Sequence, residues 1–230
     1  MSASRIALVC FDMAGTTVKD DGTVEGAFLD ALESCGVPAS DPRRAEMLDY
    51  VRETMGTSKI TVFRALFPSE SEAQAANVAF EAAYDARVQR GDIAEMPGAA
   101  QMIRDLRQDG IKVALLTGFS ARTRDRIIAA LGWVGLADLL VCPEDAGRGR
   151  PFPDMILHSL MTLGIDDVAG VAVVGDTAAD VTSGLRSGAS MVIGVCSGAD
   201  TEERLRNAGA TDILNSVAEL PALLAERHPA

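Results

Sequence analysis

Histidine is almost missing: the 230 residues hold only His158 and His228. Chemistry that needs several imidazoles is thereby excluded. Cysteine is scarce as well. Cys10, Cys35, Cys142 and Cys196 form no CxxC pair, so no zinc site is expected, and their wide spacing reads as reduced thiols in a cytoplasmic protein. Aromatic residues make up only 4%, which leaves Val, Ile, Leu, Ala and Met to fill the core; the hydrophobic share of 48% is enough for one. No apolar run is long. The N-terminal stretch from Ile6 to Phe11 is too short for a signal peptide or a membrane span. Cations are outnumbered, 21 against 33 acidic residues, for a net charge of −12. That balance argues against nucleic acid or an anionic membrane as the partner, because both need a basic face. It leaves room for a small anionic substrate. Lysine is the rarest cation, present only as Lys19, Lys59 and Lys112.

Hydrophobic periodicity is what the chain does have. Ile6 to Phe11 reads as a buried strand ending in Asp12, followed by a Gly-Thr-Thr turn. Helical spacing runs from Val24 to Cys35. Between about Asp41 and Arg90 only helical patterns occur: Ala45 to Thr54, Ser58 to Phe67 and Glu70 to Gln89. After Pro97-Gly98 strands and helices alternate, with strands at Lys112 to Leu116, Leu139 to Cys142, Ala169 to Val174, Met191 to Val195 and near Ile213. Such alternation predicts an α/β fold with a parallel, Rossmann-like sheet. The helical stretch after the first strand is too long for a crossover and reads as an inserted cap. The expected division is 1–18 plus 97–230 for the core and 19–96 for the cap.

In such sheets the ligand lies beyond the carboxyl ends of the strands. Asp12, Thr117 and Asp176 all fall there. Asp12, in FDMAGTT, suits a nucleophile that attacks phosphorus and forms an aspartyl-phosphate. A lone Asp after a strand more often caps a turn; the later motifs change those odds. Asp176 and Asp180, in VVGDTAAD, sit four apart, and with Asp12 they would repel unless a cation joins them. Magnesium, a hard ion taking oxygen ligands, fits that role. Helix-terminal capping is the plainer alternative for the pair. Thr117, in LLTGF, precedes a helix and can bind a phosphoryl oxygen through its hydroxyl and the following amides. Arg150, in GRGRPFPDM, offers a planar fork for phosphoryl or carboxylate oxygens. Its neighbour Arg148 reads as a solvated loop charge.

These four segments, in this order, resemble the haloacid dehalogenase superfamily over nearly the whole chain. The usual phosphatase of that superfamily has a second Asp two residues after the nucleophile, as the acid for an ester leaving group. This chain has Ala14 there, and losing a general acid costs about two to four orders of magnitude. FDMAGTT instead resembles the DxAGT motif of the phosphonatase (phosphonoacetaldehyde hydrolase) branch. So do Gly149-Arg150-Pro151, Arg64-Ala65-Leu66 and Met55-Gly56-Thr57-Ser58-Lys59-Ile60. The resemblance implies that Lys59 forms a Schiff base with an aldehyde, whose iminium takes up the electrons of a breaking C–P bond. No oxygen leaving group then needs a proton, so Ala14 is tolerated.

It implies Asp12, Lys59, Thr117 and Arg150 as catalytic residues and Thr16, Gly118 and Met55 as substrate-binding. Asp12, Ala14, Asp176 and Asp180 are implied for the metal, Mg2+. It also implies a cap-mediated homodimer, for which the apolar stretch from Val24 to Leu32 is a candidate face. The chain departs from the branch at Val62, where a histidine is usual, at Phe119, often a tyrosine, and around Gly22, where a cysteine is expected. The carbonyl side of the substrate is therefore open. A phosphate-monoester phosphatase and a non-catalytic binding protein on the same fold stand as alternatives.

Overall fold

The computed structural model describes residues 5–227; His228 and both chain ends lie outside them. Six strands form one sheet: β1 (Leu8–Asp12), β2 (Lys112–Leu116), β3 (Leu139–Val141), β4 (Val171–Gly175), β5 (Met191–Val195) and β6 (Asp212–Leu214). All neighbours run parallel, in the order β3-β2-β1-β4-β5-β6. The chain reverses direction across the sheet at β1, between β2 and β4, so a crevice opens at the carboxyl end of β1.

Strand period two divides β1 between the two faces. Val9 and Phe11 join one core with Val113, Leu115 and Val174. Leu8 and Cys10 join the other with Ala114, Leu116 and Val173, where Met155 and Ile156 of α8 (Asp154–Thr162) cover them. Both faces are dry, which is why the central strands read as unbroken apolar runs. The remaining helices of this layer are α5 (Ala99–Gln108), α6 (Ala121–Ala130), α7 (Pro143–Ala146), α9 (Ala178–Ser187), α10 (Glu202–Ala208) and α11 (Leu220–Arg227).

Four helices are inserted between β1 and α5: α1 (Thr23–Ser34), α2 (Arg44–Glu53), α3 (Lys59–Leu66) and α4 (Glu70–Arg90). The two connections of this insertion run side by side. The Lys19 amide donates to the Ala94 carbonyl at 2.9 Å, and Met96 N–H to the Thr17 carbonyl at 2.8 Å. Among the described residues no helix is long and apolar enough to cross a membrane.

Four expectations need correction. The fourth sheet strand begins at Val171, not Ala169, because Val168–Gly170 form a 3-10 turn. Helix α7 was not expected: four residues are too few for periodicity, and the Pro143 start and Cys142–Asp145 capping box are its only signals. The aliphatic-core expectation fails in the insertion. Phe28, Phe63, Phe67, Phe80 and Tyr84 of the insertion form one ring cluster with Phe119 of the core, together six of the chain's ten aromatic residues. Finally, the apolar face of α1 is no free dimer surface. Val24, Ala27, Phe28, Ala31 and Leu32 are buried within this chain, where α1 packs on α4.

Candidate active site

A narrow cavity separates the insertion from the strand ends. Asp12, Ala14, Thr117 and Asp176 line it from the sheet side; Asp20, Met55, Gly56 and Lys59 line it from the insertion, with Gly118 and Phe119 between. Asp12, Lys59, Thr117, Gly118 and Met55, all singled out in the sequence, line this one cavity from its two sides. The insertion closes down on the sheet through backbone contacts. Lys59 N–H donates to the Gly118 carbonyl at 3.3 Å. Position 118 must be glycine for this approach, because a Cβ there would stand 2.8 Å from the Thr57 carbonyl oxygen.

On the sheet side the site is dense with charge. Arg150 is buried, and its Nη1 lies 2.8 Å from Asp12 Oδ1 while its Nε contacts Asp180 Oδ1. Neither contact has hydrogen-bond geometry, so Arg150 Nη1 and Asp180 Oδ1 are buried polar atoms held by charge alone. The 147–153 loop carrying Arg150 is pinned to α9: Ser183 Oγ donates to the Phe152 carbonyl at 2.7 Å and Arg186 Nη1 to that of Pro151 at 3.0 Å. The Arg150–Pro151 peptide is cis. Arg148 is exposed and pairs with Asp154, outside the site.

Asp176 leaves the end of β4 and is fixed by two donors. Thr16 Oγ1 donates to its Oδ1 at 2.9 Å, and the Ala199 amide to its Oδ2 at 2.8 Å. Gly15 makes room for it: φ is +88°, and a Cβ would lie 2.3 Å from Asp176 Oδ2. Thr16 is consequently not a cavity residue. Its hydroxyl faces Asp176, which corrects the expectation that it binds substrate.

Asp180 also sits differently from expectation. Asp176 precedes α9, so the two do not share a helix face. Asp180 caps α9 instead, its Oδ2 accepting from the Thr177 amide at 3.2 Å and from the Thr177 hydroxyl. It stands behind the cavity wall, against Arg150.

These groups perturb one another. Burial pushes the Asp12 carboxyl well above the usual range; Arg150 opposes this, while Asp180 and Asp176 add to it. Burial, then the charge of Asp180, pushes Asp176 up to about 7. Burial works against the Arg150 charge, but Asp180 and Asp12 outweigh it and hold the guanidinium above its ordinary value.

Do these residues fit a metal? Among the described residues no three acidic, cysteine or histidine side chains converge closely enough to enclose an ion. The donor chemistry nonetheless fits a hard divalent cation. Asp12 and Asp176 line the cavity with oxygen ligands, Ala14 can add only its backbone carbonyl, and the mutual repulsion of three buried carboxylates is met by Arg150.

The insertion side carries two ionisable groups, Asp20 and Lys59, with no ion pair between them. Lys59 opens α3 and is buried. Its Nζ has no hydrogen-bond or ion-pair partner among the described residues. It lies 5.2 Å from the Phe119 ring centroid and 5.7 Å from that of Phe28. Burial lowers its pKa to about 8, against the opposite pull of Asp20 and Asp12. Val62, one turn along α3, is buried in the apolar core and brings no proton-carrying group.

Asp20 is the cavity residue that sequence reasoning missed. It lies in the connection before α1, and its Oδ1 accepts from the Val24 amide at 2.9 Å. No motif marks it. Only its place eight residues after Asp12, in the strand-to-insertion connection, could have drawn notice.

A family model described as haloacid dehalogenase-like hydrolase matches residues 6–188. The phosphonoacetaldehyde hydrolase of Bordetella pertussis is 34% identical over 202 residues, covering 80% of this chain and 70% of that protein. The phosphonoacetaldehyde hydrolase of Bacillus cereus is 30% identical over 230 residues, covering 93% and 86%. Among solved structures, a phosphonoacetaldehyde hydrolase-like protein from Oleispira antarctica superposes with TM-score 0.84 at 25% identity, covering 98% of this chain and 93% of that one. A predicted phosphoglycolate phosphatase from Haemophilus somnus shares the fold at 16% identity and TM-score 0.79, covering 96% and 98%.

Proposed function

The chain belongs to the haloacid dehalogenase-like hydrolases, in the phosphonatase-like branch, and we propose that it hydrolyses the C–P bond of phosphonoacetaldehyde or a related 2-oxoalkyl phosphonate. One observation carries this reading: Lys59 lies buried and unpaired in the same cavity as Asp12, while position 14 offers no acid for an ester oxygen.

The physical argument is about electrons and protons. A C–P bond breaks heterolytically only if carbon can hand its electron pair on. An aldehyde condensed with Lys59 provides an iminium for that purpose. The amine must first be neutral. At a pKa of about 8, about one lysine in ten is neutral at pH 7, against about one in a few thousand for an exposed lysine. The Asp12 carboxylate then attacks phosphorus, the C–P electrons pass into the iminium to give an enamine, and the phosphoryl group stays on Asp12. Water cleaves the aspartyl-phosphate. The enamine takes a proton at carbon, and hydrolysis of the resulting imine frees Lys59. Thr117 and Gly118 line the cavity beside Asp12 and would receive the phosphoryl oxygens, and Arg150 balances charge beside Asp12. When bound, magnesium supplies shielding of phosphoryl charge; Asp12, the Ala14 carbonyl and Asp176 would hold it, with Asp180 close behind. In this reading the helical insertion is the cap that shuts the cavity.

The test is borohydride reduction in the presence of phosphonoacetaldehyde, followed by peptide mass spectrometry. A reduced adduct on Lys59, absent from Lys59→Arg, is the expected result. Phosphate release from sugar or aryl phosphates that ignores Lys59 substitution, with no adduct, would assign the chain to ester hydrolysis instead.

A further inference from the structure

Imine formation needs more than a neutral amine. After Lys59 adds to the carbonyl, the carbinolamine oxygen must leave as water, and that oxygen needs a proton. The obvious donors are absent. His158 lies half-buried on α8, within 3.4 Å of Thr162, and does not line the cavity. Val62 and Phe119 carry no acidic hydrogen. Among the titratable residues on the cavity wall, Asp12 and Asp176 sit at the phosphoryl end. Asp20 is the remaining one besides Lys59.

We infer that Asp20 is the acid that protonates the departing carbinolamine oxygen, and the base that recovers the proton when the product imine is hydrolysed. This rests on the Schiff-base reading above. The step balances. Neutral Lys59, the aldehyde and one proton from the Asp20 carboxyl give the iminium and water, leaving Asp20 as carboxylate. After C–P cleavage the enamine takes a proton from water at carbon, and hydrolysis of the resulting iminium consumes water and returns one proton to Asp20.

Three observations support it. Asp20 and Lys59 line the same cavity without an ion pair, so neither is tied up by the other. The Asp20 carboxyl is oriented, because its Oδ1 accepts the Val24 amide at 2.9 Å and the Thr23 amide adds to the hold. Burial raises its pKa, against the hydrogen bonds and the charge of Lys59 and together with that of Asp21, favouring the protonated form an acid needs. Tyr84 also senses Asp20, but burial raises its hydroxyl well above the ordinary phenol range, which makes it too weak an acid for the task.

The experiment times borohydride trapping of Lys59 by phosphonoacetaldehyde in wild type, Asp20→Asn and Asp20→Ala. Asparagine keeps an oxygen for the Val24 amide, so the α1 connection survives, and circular dichroism checks it. Trapping should slow by about 100-fold in Asp20→Asn, and added formate should restore it in Asp20→Ala. An electrostatic role predicts the reverse, since removing the Asp20 charge lowers the Lys59 pKa further and speeds attack. Trapping in Asp20→Asn as fast as in wild type would overturn the inference and leave the Schiff-base reading standing. A slow Asp20→Ala that formate does not rescue would overturn it too, pointing to a positioning role. No trapping in wild type would remove both.

Discussion

The two walls of the cavity solve opposite electrostatic problems. On the sheet side three carboxylates and an arginine are packed together, each anchored by strand ends, caps or a pinned loop. On the insertion side one cation lies among aromatic rings with no ion-pair partner. Charge is stabilised by counter-charge in the first case and weakened by desolvation in the second. A phosphoryl group needs the first environment, since its transfer is chiefly a matter of placing and balancing charge. An amine nucleophile needs the second, since it reacts only after giving up its proton.

Four substitutions sharpen that contrast. Asp12→Asn removes the nucleophile and should lower turnover by at least ~10^4-fold, read by phosphate release, while borohydride still labels Lys59. Loss of labelling in that variant would show that the two walls do not act separately. Arg150→Met leaves buried carboxylates without their counter-ion and should cost about 3–5 kcal/mol, read by urea unfolding at pH 7. A neutral effect there would mean the sheet-side charges are not interdependent.

Lys59→Met should do the opposite. It should abolish the proposed C–P cleavage yet stabilise the fold by up to about 3 kcal/mol at pH 7, since a lysine held near 8 rather than 10.5 opposes folding by that order. Below pH 8 lysine is protonated in both states and the full penalty applies. Between pH 8 and 10.5 the unfolded chain keeps a proton that the folded chain has released, so wild-type stability rises with pH. The advantage of Lys59→Met should shrink over that window in parallel denaturation curves. Thr16→Val, the mildest change, removes one donor to Asp176. It should cost about 1 kcal/mol and weaken magnesium binding about 10- to 100-fold, by calorimetric titration.

The sheet side was the more legible in sequence. Asp12, Thr117 and Asp176 each end an apolar run, and strand geometry alone brings such ends to one edge. Lys59 was found by its local segment, because periodicity cannot distinguish a buried lysine from an exposed one. What escaped notice depends on distant partners. Thr16 meets Asp176 across 160 residues of sequence, and nothing local says that its hydroxyl faces a carboxylate rather than a ligand. The α1 face was misassigned for the same reason, since an apolar stripe does not name the surface it covers. Asp20 stands in a connection where acidic residues are ordinary. Its significance comes from Lys59, 39 positions away, arriving at the same cavity.

The amide of Lys59 rests on the carbonyl of Gly118, so the lysine is seated on the loop that also carries Thr117. Its reactivity is therefore tied to closure. Part that seam and water reaches the amine, which regains its proton and falls silent. On the proposed Schiff-base reading, an aldehyde arriving while the seam is parted would meet an inert ammonium. The amine would then carry its own safety catch, armed only while the door is shut.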